Sequence, residues 1–242
     1  MREKKISSLS NEKVKHLVRL QKEKSYRQST KTVLVEGKNL LLDLVQRHSP
    51  KEIFITEEHL NLFSKHNPTI ISQAIAEKIS DVVTPEGCFA EFDLPNNRFP
   101  AKISTGLILD GVQDPGNVGT LLRTALAFNV RTIFLIEPSC DAWNPKVIRA
   151  AKGSQFDLTI LPCSWKDIPT NIPLFVADLV GDDIQTFPQQ KRWLLVLGNE
   201  AKGAKIPSSH SFHQITIPMS GPIESLNVAQ AGAILLYTLR SP

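Results

Sequence analysis

No apolar run in the chain approaches the ~20 residues needed to cross a bilayer, so no membrane span is expected. The start, M-R-E-K-K-I-S-S-L-S-N-E-K, carries charge with no apolar segment behind it. That is not the pattern of a secretory signal, and a cytoplasmic protein is expected. Cysteine is scarce: Cys88, Cys140 and Cys163 stand far apart with no C-x-x-C pairing, which fits buried thiols in a reducing compartment. The six histidines form no H-E-x-x-H or comparable cluster, so no metal site is expected. G-x-G-x-x-G is also missing, which speaks against nicotinamide, flavin and Rossmann-type methyltransferase sites. Gly111 and Gly116 have phosphate-loop spacing, but Asn-Val follows where Lys and Ser/Thr are needed. Nucleotide hydrolysis therefore has no support.

What the chain does have is an uneven charge. Its 242 residues carry a net +4, yet residues 1–31 hold ten Lys/Arg against three acids, leaving eighteen against twenty-one for the remainder. Residues 11–28 read as a helix capped by Ser10 or Asn11, with Val14, Leu17 and Val18 on one face. Lys13, Lys15, Arg19, Lys22, Lys24 and Arg27 surround the rest. Concentrated positive charge fits a polyanion partner, nucleic acid being the commonest, and equally fits a solvated basic face.

Beyond that helix, short apolar strands alternate with helices. T-V-L-V-E-G, E-I-F-I-T and C-F-A-E-F-D read as strands of a small α/β domain over residues 1–92, with a short helix after T-I-I-S-Q. Residues 93–104, with two prolines, two asparagines and no periodicity, read as a linker. From 105 to 242 the pattern restarts: L-I-L-D, a helix from Val118 to Asn129, T-I-F-L-I, a helix near Asn144 to Lys152, then F-D-L-T-I-L, P-L-F-V-A-D, W-L-L-V-L-G and a last strand and helix. Continuous apolar strands separated by helices imply a mostly parallel sheet covered on both faces.

Three loops of this second half have ligand-site chemistry. In D-P-G-N-V-G-T-L-L-R, Asn117 stands where a helix cap belongs, and Arg123 lies one turn past Gly119, off the apolar stripe. In W-L-L-V-L-G-N-E-A-K-G, a buried strand ends at Gly198 with Glu200 just beyond, the place where parallel sheets put ligand contacts. In I-T-I-P-M-S-G-P-I-E-S-L-N, a strand leads through Pro218, Gly221 and Pro222 to a nearly all-apolar helix opened by Ser225 or Asn227. Each loop is compatible with a plain capped turn as well as with a site.

Taken together and in order, the three loops resemble the motifs of the SpoU (TrmH-like) branch of the SPOUT methyltransferases. N-x-G-x-x-x-R matches at Asn117, Gly119 and Arg123, and G-x-E-x-x-G at Gly198, Glu200 and Gly203. I-P-M and S-L-N match at Ile217, Pro218, Met219, Ser225, Leu226 and Asn227. Residues 11 to about 92, notably K-S-Y-R and V-L-V-E-G, resemble the family's RNA-binding extension. Ala201 departs from the glycine that many members have after the Glu.

The resemblance implies an α/β fold whose C-terminal parallel-sheet domain ends in a trefoil knot, an exception to unknotted topology. It implies transfer of a methyl group from S-adenosylmethionine to a ribose 2′-hydroxyl of RNA, with ribosomal RNA favoured. Transfer RNA is the alternative substrate, and a non-catalytic RNA-binding assembly factor the alternative role. The implied catalytic residues are Arg123, Glu200, Asn117, Ser225 and Asn227, and the implied cofactor wall is Gly198, Ile217, Met219 and Leu226. Arg123 would act as clamp and oxyanion stabiliser, because a guanidinium stays protonated. Glu200 would orient Arg123 or take the proton. A homodimer is also implied, with Ala229, Gly232 and Ala233 compatible with close helix packing.

Overall fold

Strands buried along most of their length build two sheets in the computed structural model, which describes residues 4–187, 190–222 and 225–240. One unit holds the chain up to Asn96 together with Trp143–Phe156, and the other holds Asn97–Ala142 and the chain from Asp157 onward.

The first unit contains β1 (Lys4–Ile6), α1 (Glu12–Lys22), α2 (Lys24–Thr30), β2 (Thr32–Glu36), α3 (Lys38–Arg47), β3 (Glu52–Ile55), α4 (Leu60–Phe63), β4 (Thr69–Ile71), α5 (Gln73–Ile79) and β5 (Cys88–Asp93). Its sheet has the order β1-β4-β3-β5-β2, with β5 antiparallel to both neighbours. The period of two sends Val33 and Val35 to one face with Leu40, Leu41 and Leu44, and Leu34 to the other with Val14, Leu17 and Leu20. Both faces are thus covered.

Two sequence expectations change here. The helix expected over residues 11–28 breaks at Glu23, which is extended (φ −111°, ψ 110°) and separates α1 from α2. The break leaves the Leu20 carbonyl without a helical partner, and the Arg27 guanidinium donates to it at 2.9 Å. The second change concerns the boundary. The chain passes between units within the expected 93–104 linker, but residues 105–242 do not all stay in the second unit. Helix α6 (Pro115–Ala127) belongs to the second unit, whereas α7 (Pro145–Ala151) belongs to the first. There Ile148 joins the core of Leu40, Leu41 and Leu44, with Trp143 and Phe156 packed beside it. Gly153 (φ +73°) follows the end of α7, and a Cβ there would lie 2.9 Å from the Leu44 side chain.

The second unit's strands are β6 (Thr105–Asp110), β7 (Thr132–Ile136), β8 (Thr159–Cys163), β9 (Leu174–Asp183), β10 (Trp193–Gly198) and β11 (His213–Thr216). They form a parallel sheet in the order β11-β9-β10-β6-β7-β8. Strand β8 starts later than the expected F-D-L-T-I-L because Ser154–Asp157 forms a 3-10 turn. The final helix, α8 (Val228–Leu239), lies on α6. Gly232 makes that approach possible: a Cβ there would fall 2.3 Å from Leu121 Cδ2 and 2.7 Å from Leu197 Cδ1. Gly232, one of the small residues compatible with close helix packing, thus serves packing within the chain.

Candidate active site

Parallel strands all deliver their carboxyl ends to one edge of the sheet, and loops leaving that edge converge. The order of the second sheet turns at β6, with β7 and β8 on one side and β10 and β9 on the other. The loops after β6 and β10 consequently meet.

The loop after β10 is held by short hydrogen bonds. Asn199 Oδ1 accepts from the Ala201 and Lys202 amides at 3.0 and 3.2 Å, while its Nδ2 donates to the Gly111 carbonyl at 3.0 Å. The Gly203 amide donates back to the Asn199 carbonyl at 2.9 Å, with Gly203 at φ +66°. Gly198 must be glycine for a separate reason, since a Cβ would sit 2.1 Å from the Ala204 nitrogen and 2.3 Å from the Gly203 carbonyl carbon. Ala201 is not among the positive-φ residues, so its departure from the family's glycine costs this loop no left-handed conformation. Asp110, at the end of β6, accepts from the Lys205 amide at 2.6 Å. Burial pushes its carboxyl above the usual range, and that hydrogen bond pulls it only part of the way back.

Between this loop and the segment after β11 lies a cleft of about 510 Å³. Gly198, Ile217, Met219 and Leu226, the expected cofactor wall, all line it, together with Glu200, Ser225 and Asn227. Ile215, Ala231 and Leu235 supply apolar floor. The volume lies within the roughly 300–1,000 Å³ of small-molecule sites.

A chain of side chains runs along the cleft mouth. Asn227 caps α8, its Oδ1 accepting from the Ala229 and Gln230 amides at 2.9 and 3.3 Å. With that oxygen committed to backbone donors, its Nδ2 donates to Asn117 Oδ1 at 2.9 Å. Asn117 then donates through Nδ2 to Glu200 Oε1 at 3.0 Å. The helix end thus fixes the orientation of both amides, and both donate toward the carboxylate.

Asn117 is free for this because it is not the cap of α6. Asp114 is, accepting from the Asn117 amide at 2.7 Å with Pro115 in the first turn. Ser225, offered as an alternative cap of the last helix, instead lies exposed on the cleft wall. The structure brings Asn117, Glu200 and Asn227 together but not Arg123. The latter lies six residues beyond Asn117 on α6, about 240° round the helix, exposed and without a hydrogen bond or ion pair among the described residues. Asn199, Asp110 and Asp114 escaped the sequence reading. Their signal was position alone: polar residues beside Gly198, Gly111 and Pro115 at strand and helix ends.

The six basic residues of the N-terminal segment separate into two groups. Lys13 is tied to Glu91 at 2.9 Å and Glu52 at 3.1 Å, and Arg27 is buried at 4% exposure. Lys13 is thus shared between two carboxylates, and Arg27 is closed off from solvent. Lys15 pairs with Glu12, and Arg19 pairs with Glu23 and stacks over Tyr26. Lys22 and Lys24 are exposed. Among the described residues no helix is long and apolar enough to cross a membrane, and no group of three or more His, Cys, Asp or Glu could hold a metal ion.

A cleft at the ends of parallel strands beside an exposed, oriented carboxylate defines an α/β enzyme that holds a small molecule next to its reacting group. The family model for the SpoU rRNA methylases matches residues 104–237, and that for the MRM3-like substrate binding domain matches residues 11–90. The chain belongs to the SpoU rRNA methylase family. It is 31% identical to the 23S rRNA (guanosine(2553)-2′-O)-methyltransferase RlmP of Bacillus subtilis, over 98% of this chain and 99% of that one. A TrmH-family protein from Porphyromonas gingivalis is similar in structure, with a TM-score of 0.82 at 33% identity over 96% of this chain and 98% of its own. An AdoMet-bound rRNA methyltransferase from Sinorhizobium meliloti has a TM-score of 0.82 at 25% identity, over 98% and 97%.

Proposed function

We propose that this protein transfers a methyl group from S-adenosylmethionine to a ribose 2′-hydroxyl of ribosomal RNA. The observation that carries the reading is the cleft at the end of β10 with the Asn227–Asn117–Glu200 chain at its mouth. Full-length relatedness to a 23S rRNA 2′-O-methyltransferase supports the substrate class.

The cleft fits the cofactor in kind. Backbone around Gly198, Ile217 and Leu226 offers donors and acceptors for polar groups, while Ile215, Ala231 and Leu235 offer an apolar surface for a flat ring. The bound cofactor supplies an electrophilic methyl group. The chain's own task is to place the ribose hydroxyl in line with it and to manage the proton. Alignment by the three loops lowers the barrier by several kcal/mol, on the order of what well-oriented intramolecular reactions gain. Glu200, its Oε1 held by Asn117, is the group placed to accept the hydroxyl proton. Asn117 and Asn227 keep that carboxylate in one orientation. Arg123 stabilises charge developing on the 2′-oxygen and holds a neighbouring phosphate.

Arg123 does not line its own chain's cleft, so the proposal includes a second copy whose Arg123 completes each site. Apolar exposure near α8 supports this, with Ile234 42% and Tyr237 55% exposed. The tight approach of Gly198 to Gly203 and Ala204 is compatible with the knotted topology that the resemblance implies.

The deciding test is transfer of tritium from labelled cofactor to ribosomal RNA, with the modified ribose located by resistance of its 3′ linkage to alkali. The reading predicts one alkali-resistant position in ribosomal RNA. Binding of S-adenosylhomocysteine without transfer to any RNA would overturn it.

A further inference from the structure

Away from the cleft, the first unit holds a second cavity, of about 230 Å³, lined by Glu36, Leu40, Val82, Glu86, Arg149 and Lys152, with Gly37 and Asn39 at its rim. Three segments build it: the turn from β2 into α3, the loop between α5 and β5 that carries Val82 and Glu86, and the end of α7, which returns from the other half of the sequence to pack here. Gly37 allows the turn, at φ +122°, and lets the Lys38 amide donate to Glu86 Oε2 at 2.7 Å.

The walls are rigid. Glu36 is buried and accepts from Ser80 Oγ at 2.6 Å and Gln21 Nε2 at 3.2 Å. Gln21 also donates to Asp81 at 3.1 Å. Asp81 receives both terminal nitrogens of Arg149 in a fork, one of them at 3.0 Å. That fork fixes the plane of a guanidinium whose side chain remains 31% exposed. The Lys152 ammonium and the Asn39 amide, by contrast, are exposed and have no partner among the described residues.

These features select a ligand. Two carboxylates in the wall repel a phosphate from the interior, while Leu40 and Val82 suit a flat apolar face. A guanidinium held in one plane is a stacking platform for a base, a mode by which unstacked RNA nucleotides are recognised. A free ammonium at the rim suits the attached phosphate. The size admits one base rather than a larger molecule.

We propose that this cavity takes one unstacked nucleotide of the RNA substrate, its base on the Arg149 plane, its edge within reach of Asn39, and its phosphate on Lys152. The proposal rests on the RNA-methyltransferase reading and places the nucleotide contact of the first unit here rather than on the α1 cations.

The test uses full-length Lys152→Ala and Asn39→Ala, both at exposed positions, with Lys15→Ala as a comparison. RNA affinity is measured by filter binding over a range of salt, and methyl transfer as KM and kcat. The two cavity variants are expected to raise Kd and KM for RNA about ten-fold, within the 1–3 kcal/mol of a nucleotide contact. Melting temperature, S-adenosylhomocysteine affinity and kcat at saturating RNA should stay at wild-type values. Lys152→Ala should also flatten the salt slope by about one. Wild-type RNA affinity in both variants, or a larger loss in Lys15→Ala, would overturn the proposal. If the variants lose RNA affinity while the unaltered protein methylates no RNA, the cavity stands and the proposed reaction falls.

Discussion

The two units treat their polar side chains in opposite ways. In the first, Glu91 is 3% exposed and receives Lys13 and His16, and Asp81 receives Arg149 and Gln21. In the second, the chain from Asn227 through Asn117 ends on Glu200, and among the described residues neither the other carboxylate oxygen of Glu200 nor Arg123 has a partner. A buried polar group left unmatched is costly, so the closed networks hold the first unit together. Exposed groups oriented at one end only are available to a ligand. Counting charges along the sequence would have favoured the N-terminal helix as the reactive surface, yet several of its cations are already spent on structure.

The largest effect on this contrast should come from deleting residues 1–92. A linker over residues 93–104, as read from the sequence, would let cofactor binding survive this deletion. The structure predicts instead a loss of soluble, cooperative folding, because Trp143, Ile148 and Phe156 lose their core. Also replacing residues 143–156 by a short flexible linker should restore S-adenosylhomocysteine binding, measured by calorimetry. Next, Gly198→Ala drives a methyl group into the Gly203–Ala204 backbone. It should cost about 1–3 kcal/mol of stability, read by denaturant unfolding, and abolish cofactor binding. Arg123→Lys keeps the charge but loses the planar fork. A roughly 10²-fold fall in kcat with unchanged S-adenosylhomocysteine affinity is expected, and near-wild-type turnover would remove Arg123 from the reaction.

A smaller effect belongs to Glu91→Gln, which should cost about 1–3 kcal/mol and leave the cofactor cleft untouched. Burial pushes the Glu91 carboxyl up, but hydrogen bonds from Lys13 and His16 outweigh it and hold it below the usual range. Its contribution is therefore present above the unfolded carboxylate value and is lost as pH falls through the depressed one. Glu36 has the opposite sign. Burial raises it, so its contribution is present below the unfolded value and lost as pH rises through the raised one. Acid titration of wild type and Glu91→Gln should diverge least at the lowest pH. Lys15→Ala, which removes only the exposed pair with Glu12, should change neither stability nor turnover measurably.

Much of the fold was legible because period and propensity are local. The V-L-V run in T-V-L-V-E, the apolar run of W-L-L-V-L-G and the stripe on α6 each identified an element, and in the second unit the continuous apolar strands between helices pointed to parallel pairing. The break at Glu23 was not legible, since it depends on Arg27 reaching back to the Leu20 carbonyl. The three motif loops were legible as loops with site chemistry. Their assembly was not.

The sequence by itself determined most of the strands and helices, though not β1 or the break at Glu23, and the residue types available at the strand ends, since these follow from neighbours a few positions apart. Tertiary structure alone decided which of those residues act together. Asn117 and Asn227 are 110 positions apart and Asn117 and Glu200 are 83, and only the sheet order brings their loops to one edge. It likewise decided that α7 joins the first unit and that Arg27 is buried. A contact between distant residues is set by the packing of whole elements, and no local pattern records it.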